Sequence, residues 1–308
     1  MDYILLLQKE MKPAFGCTEP IALAYAAAKA ASVLDEFPNH IHARCSANII
    51  KNVKSVVIPN SGGRKGLAAA TVLGAIVGHP ERELEVLESA TDEDRKWLGT
   101  LLEANFCTVE LAEGVDNLYI EITATTDEHT AVVRIENAHT NITYVSIDEN
   151  VISETINEIK EAERSTCPMT FDSIYEFAKA GDISGILPSI KQQVEYNTAI
   201  SNEGLSNDYG ANIGRLLLLD DETPSLETKC KARAAAGSDA RMSGCPLPVV
   251  ICSGSGNQGL TVSMPIITTA EELGKTDEEL YRALVFANLL TLYVKSGIGK
   301  LSAYCGVV

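Results

Sequence analysis

The chain has 308 residues, of which 45% are hydrophobic, and its formal net charge is −17. This length and composition predict a globular protein of one large or two ordinary domains. The acidic excess argues against nucleic acid or an anionic membrane as a partner attracted by bulk charge. No apolar run is continuous enough to span a bilayer, and the N-terminus lacks a basic leader, so we expect a cytoplasmic protein.

Eight cysteines are scattered along the chain without a CxxC pair. In a cytosolic protein this distribution argues against a disulfide framework. The absence of paired local spacings also argues against a structural zinc site. A metal bound by several cysteines would therefore need ligands from distant parts of the chain.

The first half of the chain changes from helical to strand-rich patterns. Helices are predicted at 3–12 and 18–36. Between residues 37 and 150 the predicted elements are two short strands, two helical stretches and four further strands: Ile41 to Ala47, Ser55 to Ile58, Leu67 to Val77, Arg82 to Ala104 with a break near Ala90, Cys107 to Leu111, Leu118 to Thr125, Thr130 to Glu136 and Ile142 to Ile147. Their Val, Ile and Thr content and their turns are typical of an antiparallel sheet.

From residue 151 the pattern is helical again, with helices predicted at 153–164, 171–180, 184–204, 207–219 and 277–293. The predicted class is therefore α+β. A mostly helical domain of residues 1–36 and 151–308 is interrupted by an inserted α/β domain of residues 37–150. The apolar ending Cys305-Gly-Val-Val308 looks like a chain cut within an element, because C-termini usually lie at the surface.

The pentapeptide Gly16-Cys-Thr-Glu-Pro20 directly precedes an alanine-rich helical segment. Thr18 is predicted as the N-cap, Pro20 fits the first turn, and Glu19 complements the helix dipole. Cys17 then lies beside unpaired backbone N–H groups, a setting that lowers a thiol pKa and favours the thiolate. From these five residues alone, a small buried residue in a turn explains Cys17 better.

Two polar stretches in the second half of the chain could hold a carboxylate. Gly254-Ser-Gly-Asn-Gln-Gly259 matches the G-x-G-x-x-G fingerprint, but Pro265 is expected to break the helix that a Rossmann turn opens, which argues against an NAD site. A nest of backbone N–H groups and polar side chains, or a plain glycine-rich turn, explains it about equally well. Arg241 could bind a ligand carboxylate through two parallel hydrogen bonds. An ion pair between Arg241 and Asp239 explains the residue equally well.

Three further stretches carry polar groups next to predicted strands. Asn60-Ser-Gly-Gly-Arg-Lys-Gly66 precedes a helix as anion-binding loops do, but it lacks the Gly-Lys-Ser/Thr of a Walker loop. His139 lies between two strands and is a candidate general base, although a lone loop histidine is more often only solvated. Asn48, Lys51 and Asn52 follow a strand, where a surface role is the default.

These stretches together resemble the L-cysteine desulfidase family, which is related to the iron–sulfur L-serine dehydratase α chains. The resemblance runs from about residue 10 to the end, in the order Gly16–Ala22, Asn48-x-x-Lys51-Asn52, His139–Ile142, Ser238–Met242, Ser253–Gly259 and Leu301-Ser-Ala-x-Cys305. Asn60-Ser61 replaces the family's usual Gly-Thr before Gly62. Several motifs in one order make the resemblance more specific than any single motif.

The resemblance implies a [4Fe–4S] cluster held by three cysteines, with one iron open as a Lewis acid. Cys17 and Cys305 match the first two ligand positions, whereas Cys245 and Cys252 match none. The family's third ligand lies further C-terminal than this sequence extends, so a version of the chain without a cluster is a second expectation. The implied reaction is β-elimination of L-cysteine, or alternatively of L-serine, to pyruvate and ammonia.

The same resemblance implies a site for a small amino acid. Cys17 and His139 are the predicted catalytic residues. The predicted substrate-binding residues are Thr18, Glu19, Asn48, Lys51, Asn52, Ser61, Gly62, Thr140, Asn141, Ser238, Asp239, Arg241, Ser253, Ser255, Asn257 and Gln258. A homodimer is a further prediction.

Three alternatives to an active iron–sulfur lyase remain open. The chain could be an inactive version that keeps the fold and binds no cluster. It could be a pyridoxal-phosphate lyase with Lys51 or Lys231 as the Schiff base, although no phosphate cup is evident. It could also be a carboxylate-binding protein without chemistry.

Overall fold

The computed structural model of the protein describes residues 2–155, 169–219 and 222–297. Internal contacts divide the chain into two units. The helical unit contains residues 2–14 and the described residues from 169 to 297, and the sheet unit contains residues 15–155. This division groups residues 18–34 with the sheet, whereas the sequence suggested that they belong to the helical domain; the domain assignment itself stays a prediction.

Helices and strands alternate along the first part of the chain, and helices dominate the second part. Up to residue 155 the elements are α1 (Tyr3–Glu10), β1 (Pro13–Phe15), α2 (Thr18–Leu34), β2 (His40–Cys45), α3 (Ala47–Val53), α4 (Leu67–Val77), a 3₁₀ segment (Pro80–Glu85), α5 (Asp92–Glu103), β3 (Cys107–Leu111), β4 (Tyr119–Thr125), β5 (Thr130–Glu136), β6 (Ile142–Ile147) and β7 (Asn150–Glu154). After residue 168 they are α6 (Phe171–Ala180), a 3₁₀ segment (Ser184–Ile186), α7 (Leu187–Ser206), α8 (Ile213–Leu219), α9 (Leu226–Met242), β8 (Pro248–Val250), α10 (Gly256–Glu272) and α11 (Asp277–Ser296).

The sheet unit is built on six strands in the order β3-β2-β4-β5-β6-β7. β2 and β3 run parallel, and the other neighbours run antiparallel. Burial alternates along β2 and β5, as expected for strands with one face on a core. The α+β class is confirmed, but the sheet is mixed because α4 and α5 connect β2 to β3 in the crossover that a parallel pair needs.

Helix α2 lies between the sheet and α4, which explains why it is apolar on nearly every side. A Cβ on Gly74 of α4 would lie 2.2 Å from the carbonyl oxygen of Ala24. The two backbones therefore touch, and alanine and glycine at this crossing permit the contact. This packing fixes the start of α2, where the Gly16–Pro20 stretch lies.

The helical unit packs α9 against α7, α8 and α10. Close helix crossings in this unit again depend on glycine: a Cβ on Gly204 of α7 would lie 2.1 Å from the carbonyl oxygen of Ala236 in α9. β1 and β8 form a two-stranded sheet. In the part of the chain that the structure describes, no helix is both long and apolar enough to cross a membrane.

Several predicted elements differ from the structure. Ser55 to Ile58 contains only an isolated bridge from Val57 to Lys65, and β7 was not predicted. β7 includes Ser153 and Glu154, so the helix predicted at 153–164 does not begin there, and its remainder from residue 156 lies outside the described residues.

The helix after Gly254–Gly259 does not end at Pro265. α10 begins at Gly256 and continues through Pro265 to Glu272. An interior proline removes one helical hydrogen bond and strains the backbone, at a cost of about 3 kcal/mol in an isolated helix. Burial of the apolar face of α10, including Leu260, Met264 and Ile267, stabilises the helix against that cost.

Candidate functional site

Arg241 is a buried cation at the end of α9. The residue is only 2% exposed, and its Nη1 donates a 2.9 Å hydrogen bond to Oδ1 of Asn257. Its Nε has no hydrogen-bond partner among the described residues, and no described carboxylate lies within ion-pair distance. The predicted alternative, an ion pair with Asp239, does not form. A buried guanidinium without an anion is costly, so the site is suited to an anionic ligand.

The turn that joins β8 to α10 leads into Gly256, the first residue of that helix. Cys252 and Ser255 exchange backbone hydrogen bonds, and the two residues between them, Ser253 and Gly254, have φ of 51° and 78°. Positive φ at both central positions is what a type I′ turn requires. Ser253 is a buried non-glycine residue in this left-handed region, a conformation that often occurs at functional sites.

Gly256 brings Arg241 against the first turn of α10. A Cβ at Gly256 would lie 2.2 Å from Nε of Arg241, so only glycine permits this approach. The N-terminus of α10 adds the positive end of its dipole to the charge of Arg241. Asn257 turns its oxygen to the arginine, which leaves both of its Nδ2 hydrogens as donors without a described partner.

Asp239 and Ser255, two further predicted residues of the helical unit, form structural hydrogen bonds. Asp239 accepts a 3.0 Å hydrogen bond from the backbone N–H of Ile213 and so holds the start of α8. Ser255 is the N-cap of α10, and its hydroxyl accepts from the N–H of Gln258. Ser238 is half-buried within α9. The structure therefore brings Arg241 and Asn257 together at the N-terminus of α10, just after the turn that contains Ser253. We call this the Arg241 site.

In the sheet unit, Glu19 is the centre of a cluster at the start of α2. Its two carboxylate oxygens accept 3.1 Å hydrogen bonds from Sγ of Cys17, Oγ1 of Thr18 and Nδ2 of Asn52. The N-cap is Cys17 rather than the predicted Thr18, because Cys17 has extended backbone angles and Thr18 is already helical. Four predicted site residues are thus brought together, with Cys17 held as a hydrogen-bond donor in a buried position.

Asn48 and Lys51 lie on α3, the helix that carries Asn52. Asn48 is one turn before Asn52 and so lies on the same side of α3, whereas Lys51 is exposed.

In the loop after α3, Ser61 is fully buried, and its Oγ lies 2.7 Å from the carbonyl oxygen of Ile58. The hydroxyl hydrogen of Ser61 is therefore used within the loop, and Gly62 is exposed beside it with φ of 71°.

His139 lies in the turn between β5 and β6 and is only 5% exposed. The expectation that a loop histidine is solvated is therefore wrong for this residue. Asn141 closes the turn by donating from Nδ2 to the carbonyl oxygen of Glu136 at 2.9 Å, and Thr140 is half-buried within it. The catalytic role of His139 stays a prediction.

Three thiols outside the α2 cluster are held in their protonated form. Burial, together with the nearby Glu10, raises the pKa of Cys252 to about 12 despite Lys295, and burial raises the pKa of Cys45 and Cys107 to about 12. Across residues 2–155, 169–219 and 222–297, no three His, Cys, Asp or Glu side chains are grouped so that they could hold a metal ion. Cys305 lies outside the described residues.

Two residues that shape the Arg241 site were not predicted. Gly256 belongs to the glycine-rich stretch, but nothing in that stretch indicates which glycine meets a side chain. Asn197, inside the polar helix α7, contacts the strand that leads into the turn and has no signal in the sequence, because a helical asparagine usually faces water.

Comparison with known proteins places this chain among relatives of similar sequence. A family model described as serine dehydratase alpha chain matches residues 81–308. A UPF0597 protein of Finegoldia magna is 47% identical over 99% of this chain and 73% of its own length. Those of Lachnoclostridium phytofermentans and Fusobacterium nucleatum are 44% and 40% identical, each over 98% of this chain and 73% of their own length.

No solved structure matches the chain. The relationship suggested by the ordered motifs is confirmed at the level of the family model and of these relatives. The chain belongs to the serine dehydratase alpha chain family.

Proposed function

We propose that this protein is a lyase that removes the β-substituent of a small amino acid, with L-cysteine as the first substrate and L-serine as the alternative. The observation that supports the proposal is the buried guanidinium of Arg241, whose Nη1 donates to two neutral acceptors, Oδ1 of Asn257 and Sδ of Met242, and to no described carboxylate. The family match agrees with this class of reaction.

In the proposal, the Arg241 site binds the substrate's carboxylate. A carboxylate at Arg241 Nε would neutralise the buried charge and form a charge-assisted hydrogen bond. The Nδ2 hydrogens of Asn257 and the N-terminus of α10 supply further donors to the same anion. Such a site binds any small 2-amino acid by its carboxylate, so the choice between a thiol and a hydroxyl substituent lies elsewhere.

The overall reaction balances without an external oxidant. A base removes the Cα proton, the electron pair forms the Cα=Cβ bond, and the β-substituent leaves as sulfide or water. The 2-aminoacrylate that results tautomerises and hydrolyses to pyruvate and ammonia. His139 is our candidate for the base, because histidine is the side chain that most often serves in general acid–base catalysis.

The family also implies an iron–sulfur cluster, and the described residues do not by themselves fit one. They supply Cys17 as a single family ligand, and its Sγ donates to Glu19. We therefore assign no step of the reaction to a cluster. The prediction that Cys17 and Cys305 are ligands stands as a separate proposal with its own test.

An anaerobic assay tests the proposed reaction. After reconstitution with iron and sulfide, the protein is incubated with L-cysteine or L-serine, and pyruvate is measured with lactate dehydrogenase. We expect pyruvate from at least one of the two and a loss of about 100-fold or more in kcat/KM for Arg241→Lys, which cannot form the same planar contact.

Iron and acid-labile sulfide measured on the same sample separate the alternatives. Absence of pyruvate together with absence of bound iron identifies the inactive version of the family. Binding of the amino acid without pyruvate formation in an iron-loaded sample identifies a carboxylate-binding protein. Activity that depends on added pyridoxal phosphate would contradict the proposal in favour of a Schiff-base lyase.

A further inference from the structure

The backbone that leads into the Arg241 site is held by a buried amide from another helix. Asn197, on α7, is 0% exposed. Its Oδ1 accepts a 2.9 Å hydrogen bond from the N–H of Val250, and its Nδ2 lies 3.4 Å from the carbonyl oxygen of the same residue. The side chain thus pairs with both polar groups of Val250, as a neighbouring strand would.

Val250 is the last residue of β8, two residues before Cys252. β8 is paired with β1, and Asn197 supplies partners for the backbone of its last residue. Buried backbone groups need such partners, because an unpaired one costs about 1–3 kcal/mol. Asn197 therefore fixes the position of the strand at the point where the chain enters the type I′ turn.

The same amide is connected to α10. Nδ2 of Asn197 donates a 2.9 Å hydrogen bond to Oγ of Ser263, which in turn donates to the carbonyl oxygen of Gly259 at 2.8 Å. A Cβ at Gly259 would lie 2.1 Å from the carbonyl oxygen of Val250, so α10 rests directly on the end of β8. One side chain thus links the strand and the helix on either side of the turn.

We propose that Asn197 is a positioning residue for carboxylate recognition. By fixing Val250 and the first turns of α10 relative to each other, it sets where Gly256 and Asn257 meet Arg241. This role rests on the proposed function, because it assumes that the Arg241 site binds the substrate's carboxylate. Donor groups in such a site tolerate displacements of only about 0.5 Å, so a small shift of the turn weakens binding.

The chain offers a matched control on the same helix. Gln193, four residues before Asn197, is also 0% exposed and exchanges two hydrogen bonds with Asn288 of α11, at 3.2 and 2.9 Å. Its amide contacts neither β8 nor α10 in the described hydrogen bonds. Replacing either amide by leucine leaves its buried polar partners without that amide in the same core, but only the Asn197 replacement releases the turn.

The test is calorimetric titration with L-alanine, which carries the amino-acid carboxylate and has no β-substituent to lose. We expect Asn197→Leu to raise the Kd for L-alanine at least tenfold and Gln193→Leu to change it less than twofold, with similar losses in thermal midpoint. Ser263→Ala removes the hydroxyl that links Asn197 to α10 but keeps the pairing of Asn197 with Val250, so it should give an intermediate Kd. This variant is the test if Asn197→Leu does not fold.

The inference is overturned if Asn197→Leu and Gln193→Leu change the Kd equally. If Asn197→Leu does not fold, an unchanged Kd in Ser263→Ala overturns it instead. Arg241→Met, titrated in parallel, separates the positioning role from the proposed function. If Arg241→Met leaves the Kd unchanged, the proposed function fails. If Arg241→Met abolishes binding and Asn197→Leu does not weaken it, only the positioning role fails.

Discussion

Arg241 and Asn257 come from different helices and meet through a 2.9 Å hydrogen bond from Nη1 to Oδ1. The acceptor is a neutral amide, so the charge of the arginine is not balanced by this contact. The rest of the guanidinium packs against Gly256, the first residue of α10. The pair therefore leaves a buried positive charge beside the positive end of a helix dipole, which is an arrangement suited to a carboxylate.

The unbalanced charge predicts an unusual effect on stability. Arg241→Met keeps much of the length of the side chain and removes the charge, so the ligand-free protein should become more stable by about 1–2 kcal/mol. Urea unfolding measures this change. The control is Arg233→Met on the same helix, because Arg233 already contacts Glu271 and Thr268. If Arg241→Met lowers the free energy of unfolding as much as Arg233→Met does, the charge of Arg241 is compensated in the parent protein.

Gly256 should be intolerant of a side chain. In Gly256→Ala the added methyl group would lie 2.2 Å from Nε of Arg241, so the guanidinium must move, and we expect the Kd for L-alanine to rise at least tenfold. In the double variant Gly256→Ala/Arg241→Met the flexible methionine can move away from the new methyl group. Gly256→Ala should therefore destabilise the Arg241→Met protein less than it destabilises the parent protein. Additive costs in unfolding experiments would argue against direct contact between the two residues.

Cys17→Ser tests the proposed cluster ligand. Serine suits the N-cap of α2 and can donate to Glu19 as the thiol does, so the fold should be preserved. We expect this variant to lose bound iron and acid-labile sulfide after anaerobic reconstitution. Cys230→Ser is the control, because the Cys230 thiol lies within hydrogen-bond distance of the Pro265 carbonyl and the Thr269 hydroxyl of α10, groups that a serine can also bind. Full lyase activity in Cys17→Ser would make the ligand assignment wrong.

The sheet unit should lose stability in acid through Glu121. Burial alone would raise the pKa of Glu121, but hydrogen bonds from Arg134 and Tyr119, with Arg44 nearby, outweigh burial and lower it below the ordinary value of 4.5. The stabilisation is therefore complete above about pH 4.5 and is lost as the pH falls through the lower, folded-state pKa.

At pH 7 the free energy of unfolding of Glu121→Gln should be about 1–3 kcal/mol lower than that of the parent chain. Below about pH 4.5 the variant should lose less further stability than the parent chain does. Denaturation at a series of pH values measures both. The exposed pair of Glu227 and Lys231 offers a control, since Glu227→Gln should change little. Parallel acid profiles for parent and Glu121→Gln would contradict the role of Glu121.

Much of the sheet unit could be predicted from sequence, because its elements are decided locally. The alternation in Thr130–Glu136 and the apolar run Leu67–Val77 predicted the observed bounds. The helical unit was harder, since its glycines mark helix contacts rather than turns. Gly237 lies inside α9, and a Cβ there would lie 2.9 Å from the side chain of Leu260. A stretch that looks like a loop in sequence is thus a buried helix crossing.

The candidate site shows the same limit. Arg241 and Asn257 could each be identified by residue type, but their pairing depends on how α9 is turned relative to α10. Asp239 is two residues from Arg241 and faces the start of α8 instead. The sequence contained both possible partners, and only packing decided between them.

The most direct test of the central claim compares L-alanine with L-alaninamide in calorimetric titrations. The two ligands share the ammonium group and side chain and differ in whether the carboxylate charge is present. If Arg241 is the counter-ion of the substrate, L-alanine binds, L-alaninamide binds at least tenfold more weakly, and Arg241→Met abolishes the difference. Equal affinity of the parent protein for both ligands would contradict the role of Arg241 as that counter-ion.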